Sequence, residues 1–148
     1  MVLIAALALA GCNSGSEDEA ATNPVPPPGR DEPSQAKTIR DWSRALNDER
    51  YGRAASFFAK GAIVEQARVS RLADRAAAIA FNRSLPCKAD VTDIDDEGDT
   101  VLVAFRLRGG PRGGCQGGSA RVRFKFRGGK FSEWRQLGAP DAPPGEVI

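Results

Sequence analysis

Residues 39 to 66 read Ile-Arg-Asp-Trp-Ser-Arg-Ala-Leu-Asn-Asp-Glu-Arg-Tyr-Gly-Arg-Ala-Ala-Ser-Phe-Phe-Ala-Lys-Gly-Ala-Ile-Val-Glu-Gln, and the rest of the chain is placed by reference to them. Ile39, Trp42 and Leu46 recur at helical spacing, and Tyr51, Ala54, Ala55 and Phe58 repeat the stripe. That spacing predicts two helices, each with one apolar face to bury. Ser34 is the expected cap of the first helix and Asn47 or Asp48 that of the second. Gly61 is expected to end the second helix after Lys60, and Ile63 to Gln66 reads as a short strand.

Downstream, Ala67 to Ala73 carries no decisive pattern. Asp74 then caps a third predicted helix whose stripe is Ala78, Phe81 and Leu85, and Pro86 stops it. From there the period changes from helical to alternating. Ala89 to Asp95 reads as a strand, Glu97-Gly98-Asp99 as a hairpin turn, and Thr100 to Leu107 as its partner, with Val101, Val103, Phe105 and Leu107 on one face. A glycine-rich loop, Gly109 to Gly118, leads into Arg121 to Arg127, where basic and apolar residues alternate. Gly128-Gly129 turns the chain into a last strand, Lys130 to Leu137. Three helices followed by hairpin-linked strands predict an α+β fold, with a curved, mostly antiparallel sheet wrapped around the helices.

Upstream of this domain the composition is different. Val2 to Ala10 is an apolar run of signal-peptide length, well short of the roughly 20 residues a membrane-spanning helix needs. It ends in Leu9-Ala10-Gly11-Cys12, which resembles the bacterial lipobox, and that resemblance makes Cys12 the lipidated first residue of the mature protein. No lysine or arginine precedes the run, so either the start lies upstream of Met1 or the signal is atypical. From Asn13 to Gln35 the chain is polar and then rich in proline, a spacer in which no core can form. The expected organisation is therefore a signal peptide at 1–11, an anchored linker at 12–35, a folded domain at 36–138 and a tail at 139–148. The expected location is the cell membrane, on its non-cytoplasmic side.

The chain has 148 residues, 41% of them hydrophobic and 27% charged, enough for one ordinary domain beyond the tail. A net charge of +2 is too small to indicate nucleic acid. The absence of histidine excludes Ser-His-Asp and Cys-His catalysis and weakens any metal site, so neither metal nor cofactor is expected. With Cys12 lipidated, Cys87 and Cys115 remain. Export favours oxidation, and the predicted hairpins bring both to one end of the sheet, so they are expected to pair; the alternative is two unpaired small hydrophobes.

The segment Trp42 to Ala59, the Val64-Glu65 strand, the alanine-rich third helix and the closing Gly-Gly-Lys-Phe-Ser-Glu-Trp-Arg-Gln-Leu resemble the nuclear transport factor 2-like superfamily, most of all its SnoaL-like and ketosteroid isomerase-like branch. The resemblance implies a cone-shaped fold with a pocket between the helices and the concave sheet face. It places Trp42 where those isomerases have an enolate-binding tyrosine, Gln66 where they have the aspartate base, and Val122 near their second oxyanion acid. An amide accepts no proton at ordinary pH and an indole is a poorer donor, so the isomerase chemistry is not expected. Glu65 would serve as base only if its strand were shifted by one residue.

The positions that the resemblance directs inward are Trp42, Phe58, Val64, Gln66, Phe81, Trp134 and Gln136. They fit either an aromatic ligand cavity oriented by two amides or a filled core. The glycine-rich loop precedes a strand rather than a helix, which argues against a phosphate cradle. Arg121, Arg123, Lys125 and Arg127, extended by Arg106, Arg108 and Arg135, are expected to form a basic outer sheet face, either solvated or in contact with lipid headgroups, a wall polymer or a second copy of the chain. The function expected is a non-catalytic, lipid-anchored binding module for a small apolar ligand or a protein partner. The alternative is an isomerase or cyclase.

Overall fold

The computed structural model describes residues 32 to 138; Cys12, the apolar run before it, the linker up to residue 31 and the tail lie outside the described residues, and the last two positions assigned to the linker, Ser34 and Gln35, already belong to the first helix. Three helices, α1 (Ser34–Asn47), α2 (Tyr51–Ala55) and α3 (Arg75–Ser84), pack on six strands: β1 (Phe58–Glu65), β2 (Val69–Leu72), β3 (Lys88–Asp96), β4 (Thr100–Arg108), β5 (Ser119–Arg127) and β6 (Lys130–Leu137). The strands form one sheet in the order β2-β1-β6-β5-β4-β3. Neighbours are antiparallel except β1 and β6, which run parallel.

The helical stripe of α1 is the one read from the sequence: Ile39, Trp42 and Leu46 are buried. Its cap is not. Pro33 occupies the capping position, Ser34 is already helical, and the Ser34 carbonyl accepts a hydrogen bond from Thr38 Oγ1. Asp74 does cap α3, its Oδ1 accepting the Ala77 N–H at 2.9 Å.

Asn47 caps nothing, because it is committed across the layers. Its amide donates to the Ala89 carbonyl at 3.1 Å and to Asp90 Oδ1 at 2.9 Å, while its oxygen accepts the Ala89 N–H at 2.9 Å. A carboxamide thus stands in for a missing neighbour strand at the start of β3, which is an edge of the sheet. Ser43 adds a hydroxyl bond to the same carbonyl. Arg108 and Asn47 together hold the Asp90 carboxyl below the usual carboxylate range, the Arg108 hydrogen bond being the larger cause.

The second helix is shorter than its stripe suggests. It ends at Ala55, and Phe58 begins β1, so Gly61 lies inside a strand instead of closing a helix. With φ at +76°, Gly61 sits where the pairing of β1 with β6 shifts between Phe58 and Ile63, a bulge that a side chain would strain. The undecided segment after Gln66 returns as β2, pairing Val69 with Glu65 and Leu72 with Ala62.

Trp42 is the centre of the core. Its indole meets Phe58, Phe105, Phe124 and Phe131 edge to face, with ring centroids 5.7 to 6.3 Å away. Part of the basic stripe expected on the outer sheet face is ion-paired. Arg123 binds Glu97 at 2.9 Å, Arg108 binds Asp90 at 2.7 Å, and Arg135 bridges Glu65 and Glu133.

Candidate functional site

Between α1, the turn after α3 and the inner sheet face lies a cavity of about 120 Å³. The three positions aligned with the isomerase machinery, Trp42, Gln66 and Val122, all line it, as do Trp134 and Gln136. The other inward candidates lie elsewhere. Phe58 belongs to the aromatic core, and Val64 and Phe81 border an open groove of about 730 Å³ between α3 and β2, which shares only Gln66 with the cavity. Phe81 stands between them, its ring 5.7 Å from Phe58 and 5.1 Å from Trp134.

The polar groups at the cavity differ in how far they are already committed. Trp42 Nε1 donates to Asn82 Oδ1 at 2.8 Å, and Asn82 Nδ2 donates to the Ala78 carbonyl at 2.8 Å. Asn82 is fully buried, and that bond removes the Trp42 N–H from any ligand chemistry. The sequence reading missed Asn82. The signal available was its position, one turn after Ala78 and adjacent to Phe81, on the apolar stripe of α3.

Trp134 is 3% exposed, and its indole nitrogen is buried with no acceptor. Gln66 and Gln136 directly follow Glu65 and Arg135, the last pair of the parallel β1–β6 ladder, and both line the cavity. Neither side chain makes a hydrogen bond to another described residue.

Glu65 points the other way. Alternation along β1 buries Val64 and turns Glu65 outward, where its carboxylate is bound by Arg135. No ionisable side chain lines the cavity among the described residues. A reaction needing a proton acceptor in the wall therefore has none there, while an apolar molecule finds aromatic and aliphatic contact.

Cys87, in the cavity wall, is joined to Cys115 by a disulfide, S–S 2.03 Å and Cα–Cα 5.7 Å. The glycine-rich loop is shaped around this bond. Gly110 has φ +79°, and a Cβ there would lie 2.3 Å from Cys115 Sγ, so only glycine lets the backbone pass the sulfur.

Comparison with known proteins agrees with this geometry. No curated protein matches the sequence. Among solved structures, an NTF2-like protein of unknown function from Cytophaga hutchinsonii superposes with a TM-score of 0.58 at 13% identity, covering 72% of this chain and 90% of its own. A candidate ketosteroid isomerase from Kribbella flavida gives 0.57 at 19% identity, with 77% and 85% covered. A candidate polyketide cyclase from Sinorhizobium meliloti gives 0.56 at 18%, with 72% and 96% covered. At these identities the likeness is one of fold. Residues 39–134 match the SnoaL-like domain, well over half of the chain, and the protein accordingly belongs to the SnoaL-like domain family.

Proposed function

We propose that this SnoaL-like domain is a lipid-anchored binding module that holds a small apolar ligand in its cone and does not turn it over. The observation that carries the reading is an apolar cavity whose lining contains two tryptophans and two glutamines and no ionisable group. Its size restricts the ligand. Pockets for drug-sized molecules measure roughly 300 to 1,000 Å³, and an apolar cavity of about 150 Å³ takes a benzene ring. At about 120 Å³ the cone suits one ring or a short branched chain, not a steroid.

Toluene titrated into the full-length protein is expected to change tryptophan fluorescence saturably and to raise the melting temperature by mass action. Ala120→Leu, which fills the wall with a larger side chain, is expected to abolish both responses. An unchanged response in that variant would place the binding elsewhere and remove the proposal. The isomerase or cyclase reading draws on the names of two structural relatives. It requires a base, and Glu65 is bound to Arg135 on the outer face. Ketosteroid isomerisation lost in Glu65→Gln would establish that reading instead.

Anchoring rests on the Leu9-Ala10-Gly11-Cys12 motif. Cys12→Ser in the native host is expected to leave the protein unprocessed or released from the membrane, because two or three acyl chains anchor a domain firmly where one does so only marginally. Mass and membrane partition identical to wild type would exclude lipidation at Cys12.

A further inference from the structure

We infer that the cavity selects a neutral ligand whose polar end carries a donor and an acceptor side by side, a small carboxamide or lactam, and that Gln66 and Gln136 read that end. The inference rests on the binding reading above and narrows it to a ligand class. Three observations lead to it.

First, the two carboxamides share one cavity wall. Glu65, the last residue of β1, pairs with Arg135 of β6, and the residues that follow each of them, Gln66 and Gln136, both line the cavity. Each carboxamide carries an NH₂ and a carbonyl oxygen, so together they offer donors and acceptors in one place. Neither is engaged by another described side chain, unlike Asn47 and Asn82, whose amides are both consumed structurally.

Second, charge is unwelcome. The lining supplies no arginine, lysine or carboxylate to compensate an ion, and Arg135, beside Gln136, is already engaged by Glu65 and Glu133. A carboxylate or ammonium entering an apolar cavity of this kind loses its hydration with nothing equivalent in return. Third, Trp134, two residues before Gln136 on β6, lines the cavity beside the carboxamides and supplies an aromatic wall for the apolar body of the ligand. A ligand oxygen is the partner the carboxamide NH₂ groups favour, and the carboxamide oxygen of a glutamine is the natural acceptor for a ligand N–H.

Toluene, benzamide and benzoate are nearly the same size and separate the possibilities. With full-length protein at neutral pH, benzamide is expected to bind and benzoate to bind at least tenfold more weakly. In Gln136→Leu, benzamide is expected to lose roughly tenfold in affinity relative to toluene measured in the same variant, since each neutral hydrogen bond contributes modestly and two are lost together. Gln66→Leu, at a position exposed enough to be tolerated by the fold, is the second variant and is expected to act in the same direction. If toluene binds but benzamide is indifferent to both substitutions, or benzoate equals benzamide, the ligand class is wrong and the apolar binding reading stands. If none of the three perturbs the cavity tryptophans, both readings fall.

Discussion

Trp42→Ala is expected to destabilise the domain by about 3 to 5 kcal/mol, the range for removing a large aromatic from a packed core. The effect should fall at the upper end, because four phenylalanine rings lean on this one indole. A domain of this size has roughly 5 to 15 kcal/mol in hand, so the variant retains little margin. Trp42→Phe separates packing from polarity. It keeps a ring but leaves Asn82 Oδ1 buried without its donor, at a cost of about 1 to 3 kcal/mol. Asn82→Leu strands the indole N–H in the same way, and the double variant should cost less than the sum of the singles. Urea midpoints at constant slope provide the measurement. Additive losses, or a Trp42→Ala loss below 1 kcal/mol, would show that the indole is not the hub of the core.

The second large effect is expected from the disulfide. Cys87 and Cys115 are 28 residues apart, and closing a loop of that length stabilises a fold by about 3.5 kcal/mol in the chain-entropy account. The double variant Cys87→Ala/Cys115→Ala should lose that amount. Wild-type protein in reductant should approach the same midpoint, since no cross-link then restrains its unfolded chain. The loss should also reach the binding site, because Cys87 is part of the cavity wall and Cys115 holds the loop beside it. Two titratable thiols in denatured, unreduced protein would contradict the bond directly.

Local signals were legible in the sequence; long-range ones were not. The Ile39-Trp42-Leu46 stripe, the Asp74 cap and the Glu97-Gly98-Asp99 turn each depend on residues within a few positions of one another, and each appears where the pattern places it. Phe58 continues a helical stripe equally well as it begins a strand. What decides is the parallel partner β6, whose Phe131 N–H reaches the Phe57 carbonyl at 2.8 Å from more than seventy positions away. Strand β2 eluded the reading because only Leu72 among its four residues is buried. For the site, the alignment with the isomerases brought Trp42, Gln66 and Val122 to one cavity, but the volume left between them depends on how four phenylalanines pack around Trp42, which spacing does not specify. Asn47 reads as a helix cap, and Asn82 gives no reading at all. Both are tied up by partners 40 or more positions distant.

The strand order has a consequence for assembly. The last strand of the domain, β6, lies between β1 and β5, so the sheet is completed from its middle by a strand made after the other five. Until Lys130 to Leu137 is present, the β1–β2 hairpin and the β3–β4–β5 meander have no shared ladder, and each leaves an edge that β6 would otherwise cover. Glu65 and Arg135, seventy residues apart, meet only at that step. Folding therefore proceeds by closure over a long loop, a slow kind of search. A chain cut short before Lys130 holds two open-edged pieces prone to pairing with other chains, and proteolytic loss of the last strand is a route to aggregation and not to a smaller working domain.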